Sequence, residues 1–302
     1  MNAIETRNLV KRFGSKTVLS GLDMTVPQGA IYGFIGENGS GKSTTEKILC
    51  GLLTKDEGSI RLFGKDKDDE EVRSSIGILI EQPGCFPDLS VWNNLFLQAL
   101  NLGLENPEKE IGKVLRLVRM EGAASNKFKN CSLGMKQRIG IAMALLGDPD
   151  LLVLDEPING LDADGMRIMR EILVDLSKNH KKTILISSHV LGELEKIATH
   201  YGILKNGRML REMTAEELDQ DCPTYLTIRI EDAVSARKVL EERYHSVQWD
   251  EEKKTIRIYD KGKTEDVLSY LHERGLSPSE AYEEKIGLEE YYTDLMGKED
   301  GR

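Results

Sequence analysis

Cysteine is scarce and long hydrophobic runs are missing. Cys50, Cys85, Cys131 and Cys222 are scattered over 302 residues, with no CxxC spacing and no clustered histidines. That pattern argues against a disulfide framework or a zinc site and fits a reducing compartment. The longest apolar stretches, IGIAMALLG and LLVL, fall well short of the ~18 residues that a membrane span needs. No basic start followed by an apolar core opens the chain, so secretion is not expected. Repeats and low-complexity segments are also lacking.

What is present describes an ordinary globular protein, with 39% hydrophobic and 30% charged residues. The length suffices for one large domain or two. The net charge of −10 is unevenly placed: residues 1–213 carry 28 acidic and 28 basic side chains, and residues 214–302 carry 23 and 13. An acidic last part repels phosphate backbones, so no nucleic-acid partner is expected. A solvated acidic surface is the plainer meaning of the charge.

The first part alternates strand and helix patterns. AIETRNLV, GLDMTV and AIYGFI read as strands, STTEKILCGLL as a helix, and SIRLFG and SIGILI as strands. Helical spacing dominates from Leu89 to Met120, where Pro107 suits a first helical turn. CSLGMKQRIGIAMALLG is a further helix, LLVLD a buried strand, ADGMRIMREILVDLSK a helix and KTILISS a strand. Buried strands alternating with helices imply α/β architecture, a parallel sheet covered on both faces. After a polar helical connector the order becomes strand, helix, strand, strand, helix, strand, which resembles a small α+β ferredoxin-like unit. LEEYYTDLMG closes it as a helix.

GENGSGKST matches the phosphate-binding pattern G-x-x-x-x-G-K-[ST], with Gly36, Gly41, Lys42 and Ser43 at its fixed positions. Glycines let backbone N–H groups close around phosphates. Lys42 would charge-pair with the β- and γ-phosphates, Ser43 would ligate Mg²⁺, and the following helix offers its positive end. LLVLDEP then delivers Asp155 to a strand's C-terminal edge as a candidate Mg²⁺ holder. Beside it, Glu156 is placed to polarise an attacking water. Gln82 follows SIGILIE, and its amide can reach both metal and water. His189 follows KTILISS; a lone histidine is more often structural, but its place beside a parallel strand's C-terminal end favours the functional reading. Phe13, before a loop expected at GSKTV, could stack on adenine, although an aromatic there is more often core.

CSLGMKQR adds a second anion-binding helix start at Ser132. One chain has no obvious use for two γ-phosphate sites, whereas two chains facing head to tail do. The phosphate loop, Gln82, CSLGMKQR, LLVLDEP, NGLD and His189 occur in the order seen in ATP-binding-cassette (ABC) ATPases, and residues 1–213 resemble that family. SLGMKQR, EQPG and the C-terminal extension look more narrowly like the ATPase subunits of bacitracin- and lantibiotic-type exporters.

The resemblance implies an ABC-type P-loop core over 1–213 with a helical insert at about 83–145, a connector at 214–222, and an accessory domain at 223–302. It implies ATP contacts at Phe13, Val18, Gly36, Glu37, Asn38, Gly39, Ser40, Gly41, Lys42, Ser43 and Thr44. It places Mg²⁺ at Ser43, Gln82 and Asp155, and catalysis at Glu156, His189 and Gln82. Ser132, Leu133, Gly134 and Met135 would close the partner chain's ATP, and Asp162 would lie in the D-loop. Leu133, Met135 and Cys131 depart from the general signature but leave Ser132 and Gly134 in place. Glu46 stands where an apolar residue is usual, facing a subunit interface or pairing locally.

The implied partners are a second copy of the chain, in an ATP-dependent homodimer, and a separate transmembrane permease seated on the helical insert. The implied location is the cytoplasm, peripheral on the inner membrane face. Export of a peptide antibiotic is the expected role. Exporters of another drug, lipid or ion, and a soluble ABC ATPase acting on ribosomes or DNA, are the alternatives.

Overall fold

The first two strands are long. In the computed structural model, β1 (Asn2–Phe13) and β2 (Lys16–Pro27) form a hairpin closed by Gly14 and Ser15 alone, with Phe13 opposite Lys16. GSKTV is therefore mostly strand rather than loop. Lys16 and Thr17 are exposed, so no apolar alternation marks them. The structure describes residues 1–69, 72, 74–251, 254–259 and 262–300, the last three by backbone alone. They fall into two units, Met1–Ala215 and Glu216–Arg302.

The first unit holds two sheets. β3 (Ile31–Gly36) leads through the glycine-rich loop into α1 (Lys42–Leu49), and β4 (Glu57–Leu62) and β5 (Lys65–Asp66) follow. One sheet has the order β2-β1-β4-β5 and is antiparallel. The other runs β10-β9-β3-β8-β7-β6, built from β6 (Ile76–Leu79), β7 (Leu151–Asp155), β8 (Thr183–Ser187), β9 (His200–Lys205) and β10 (Arg208–Thr214). Its strands pair in parallel except for β10, which pairs antiparallel with β9 at one edge. Leu151, Val153, Leu185, Tyr32 and Phe34 from this sheet pack with Leu9, Leu22, Met24 and Ile60 from the other, and with Ile48 and Leu49 of α1. At ~25 cal/mol per Å² of apolar surface removed from water, such burial is the main stabilising term.

β9 and β10 escaped the sequence reading. Their turn is Asn206-Gly207, with φ of 50° and 74°, the left-handed pair that a two-residue hairpin of this type demands. That dipeptide was the available signal.

Between β6 and β7 lie α2 (Val91–Asn101), α3 (Pro107–Leu117) and α4 (Leu133–Leu145). Ser90 caps α2 by accepting from the Asn93 N–H, and Pro107 opens α3. The buried Asn94 side chain bonds the Phe86 N–H and carbonyl and so fastens the segment after Gln82 to α2. α5 (Ala163–Lys178) and the short α6 (Leu191–Leu194) flank β8 in sequence. Among the described residues, no helix is long and apolar enough to cross a membrane.

Beyond α7 (Ala215–Asp221), the second unit comprises β11 (Thr224–Arg229), α8 (Ala233–Glu241), β12 (Val247–Asp250), β13 (Thr255–Ile258), α9 (Thr264–His272), β14 (Glu280–Lys285) and α10 (Leu288–Asp300). The strand-like run TIRIYD extends past β13, and its last residue lies outside the described residues. The sheet order is β12-β13-β11-β14, with every neighbouring pair antiparallel. β13 thus splits the β11–α8–β12 crossover, and β11 splits the β13–α9–β14 crossover, as in a ferredoxin-like unit. Leu226, Ile228, Ile256 and Ile258 pack on Leu240, Val267 and Leu271.

Candidate active site

The glycine-rich loop is held from two sides. Gly39 and Gly41 have φ of 83° and 116°, values that side chains with a Cβ rarely adopt. A Cβ on Gly41 would stand 2.6 Å from Leu19 Cδ2, and one on Gly36 would stand 2.6 Å from the Leu204 carbonyl. Gly207 donates its N–H to the Ser40 carbonyl (3.0 Å) and accepts from the Ser20 N–H (2.9 Å). The loop is thereby wedged between the β9–β10 turn and β2. Lys42 is buried, its ammonium donating to the Gly36 and Glu37 carbonyls at 2.5 and 3.1 Å. Burial lowers its pKa below the ordinary lysine value, while the Glu156, Glu46 and Asp155 carboxylates pull it back up.

β7 and β8 end side by side, with Asp155 opposite Ser187. Ser187 donates to Asp155 Oδ1 at 2.7 Å. The Glu156 N–H points back at Ser187, 3.2 Å from both its carbonyl and its hydroxyl oxygen. Glu156 itself has φ 49°, a left-handed backbone that costs a side-chain-bearing residue about 1–3 kcal/mol and clusters at functional sites. Its Oε2 lies 2.6 Å from His189 Nδ1.

Glu46 is wholly buried inside the chain rather than on a surface open to a second subunit, and neither carboxyl oxygen has a hydrogen-bond partner. Burial pushes its pKa up to about 8, with Asp155 adding to the rise and Ser187 and Lys42 opposing it. The single Ser187 hydrogen is already committed to Asp155.

One cavity of about 780 Å³ brings together Ser43, Gln82, Leu133, Asp155 and Glu156. Asn159, Gly160 and Lys136 also line it, and the sequence reading had given them no role. Ser132, Gly134, Met135, Asp162, Phe13 and Val18 lie outside its lining. Ser132 caps α4, its hydroxyl accepting from the Met135 N–H at 3.3 Å. Asp162 likewise caps α5, accepting from the Gly165 N–H at 2.8 Å. Val18 reaches the loop through its carbonyl, 3.3 Å from where a Gly41 Cβ would be. Phe13 is half exposed, with the Lys11 ammonium 5.4 Å from its ring centre. Ser187 was missed outright, its signal being a polar residue at the end of the otherwise apolar TILIS.

Residues 19–159 match the ABC transporter family model. The bacitracin transport ATP-binding protein BcrA of Enterococcus faecalis is 38% identical over 97% of this chain and 96% of its own length. The lantibiotic transport ATP-binding protein SrtF of Streptococcus pyogenes is 40% identical over 69% and 90%. Among solved structures, an ATP-binding subunit of an ABC transporter superposes with a TM-score of 0.64 at 30% identity, covering 72% of this chain and 92% of the other.

Proposed function

Because this chain belongs to the ATP-binding subunits of ABC transporters, we propose that it hydrolyses ATP between two copies of itself to drive a separate permease exporting a membrane-active peptide antibiotic. The observation that carries the catalytic part is the single cavity shared by Ser43, Gln82, Asp155 and Glu156, with Glu156 tied to His189.

Each residue has a task in this reading. Lys42 and the loop amides from Glu37 to Thr44 take the phosphates, turning Lys42 from its carbonyl partners toward the nucleotide. The Ser43 hydroxyl, the Gln82 amide oxygen and the Asp155 carboxylate are hard oxygen donors around one cavity, a set that fits Mg²⁺ with its preference for few carboxylates. When bound, Mg²⁺ would neutralise charge on the phosphates. Glu156 orients and polarises water, and His189 fixes the Glu156 carboxylate. Phe13 and the Val18 backbone border the base. The positive end of α4, with Ser132, Leu133, Gly134 and Met135, closes the nucleotide of the partner copy, and Asp162 shapes the segment between them.

Exposed Leu52 and Leu102 border a groove of about 580 Å³ that also includes Gln82, Pro83 and Met143. We assign this groove, beside the helical insert, to the permease. The subunit then sits in the cytoplasm, against the inner membrane face. Cargo selection lies in the permease, and the peptide assignment follows the two transport relatives.

Glu156→Gln tests the chemistry. ATP should still bind while turnover falls by at least about a hundredfold, and light scattering should show an ATP-dependent dimer. Near-normal turnover would remove Glu156 from the mechanism. Expression with the permeases of its bacitracin- and lantibiotic-transport relatives in a sensitive bacterium tests the cargo: resistance to cationic or cyclic peptides should appear with the native chain and vanish with Glu156→Gln. A shift only toward another drug or a lipid would replace the peptide reading.

A further inference from the structure

We infer that Ser187 is a positioning residue, holding the Asp155 carboxylate and the Glu156 backbone in their working geometry from the neighbouring strand. The inference rests on the catalytic reading of Asp155 and Glu156 given above.

β8 is wholly buried along TILIS, so a hydroxyl at its end needs partners. It has two, and both belong to the DE pair. As a donor, Ser187 takes Asp155 Oδ1 at 2.7 Å. As an acceptor, its hydroxyl shares the Glu156 N–H with its own carbonyl, both at 3.2 Å. That N–H belongs to a residue with φ 49°, a conformation that must be over-determined by its surroundings to persist. The register makes the arrangement possible: Asp155 and Ser187 are direct partners in a parallel pair, so the two strand ends arrive together. Ser188 next starts the turn that carries His189, its hydroxyl accepting from the Val190 N–H at 3.0 Å. The end of β8 therefore grips Glu156 twice, through its amide at Ser187 and through its carboxylate at His189.

A group that acts through others should change the chemical step more than nucleotide capture. Ser187→Ala removes one oxygen, and Ser187→Cys keeps the shape but donates poorly. Both should lower kcat by about ten- to a hundredfold, keep the KM for ATP within about threefold, and raise the Mg²⁺ concentration needed for tight binding of a fluorescent ATP analogue. Ser187→Thr keeps the hydroxyl and should restore most of both properties. Wild-type kcat and Mg²⁺ dependence in Ser187→Ala, alongside an inactive Glu156→Gln, would overturn the role of Ser187 and leave the site intact. An equal loss in Ala, Cys and Thr variants would reduce Ser187 to packing. A fully active Glu156→Gln would overturn the reading of the site, and this inference with it.

Discussion

The mostly parallel sheet of the first unit and the sheet of the second meet the same problem, burying a sheet against helices, with opposite strand directions. In the first unit β3, β7 and β8 run parallel, so Gly36, Asp155 and Ser187 arrive at the same edge. In the second unit every neighbouring pair is antiparallel, so successive strands end at opposite edges. Polar contacts there cross separate strand pairs, Thr227 to Glu284 between β11 and β14 and Arg257 to Asp250 between β13 and β12. Parallel order concentrates functional groups, as ligand sites at the carboxyl ends of such sheets show generally. Antiparallel order distributes them.

The contrast can be broken at the loop. Lys42→Ala should weaken ATP binding by about ten- to a hundredfold, the worth of a hydrogen bond to a charged group, measured by equilibrium titration. Unchanged affinity would mean that the parallel edge is not where the nucleotide binds.

Leu240→Ala probes the other side. Leu240 is wholly buried in the second unit, and its loss should cost that unit about 2–5 kcal/mol. Calorimetry should show the second unit melting earlier while ATP turnover stays at the wild-type level. A matching loss of turnover would erase the functional contrast between the units.

Glu46 sharpens the comparison by titration. Between its ordinary 4.5 and about 8, the folded chain keeps a proton on Glu46 that the unfolded chain releases. Stability therefore falls as pH rises through that window and levels off above it. Glu46→Met fills similar space without the charge, and should raise stability by about 2 kcal/mol at pH 8, with a smaller gain at pH 5. Thermal melts at the two pH values give the difference. An equal gain at both would show that Glu46 does not titrate in the fold.

Legibility followed the distance over which each signal acts. The glycine-rich loop, LLVLDEP and the helix start at Ser132 are local chemistry, readable from a few adjacent residues. Ser187 was not, because its meaning depends on strand register: it faces Asp155 only once β7 and β8 are paired. Glu46 stayed open between an interface and a local pair because its charge was visible and its burial was not. The β9–β10 hairpin was missed for another reason. β10 is an edge strand whose exposure follows no period of two, with Met213 alone fully buried, leaving Asn206-Gly207 as its strong cue.

The bond from Gly207 to Ser40 also has a consequence in time. The amino terminus emerges first during synthesis, and the glycine-rich loop emerges with it, long before the turn that wedges it. At the usual rate of roughly 5–20 residues per second, the anchoring turn is made about 10–30 s after Ser40. Throughout that interval the nascent chain carries the glycine-rich loop without its hydrogen bond to Gly207. The ribosome thus completes the loop's primary structure early, while the contact that anchors it to the β9–β10 turn comes late.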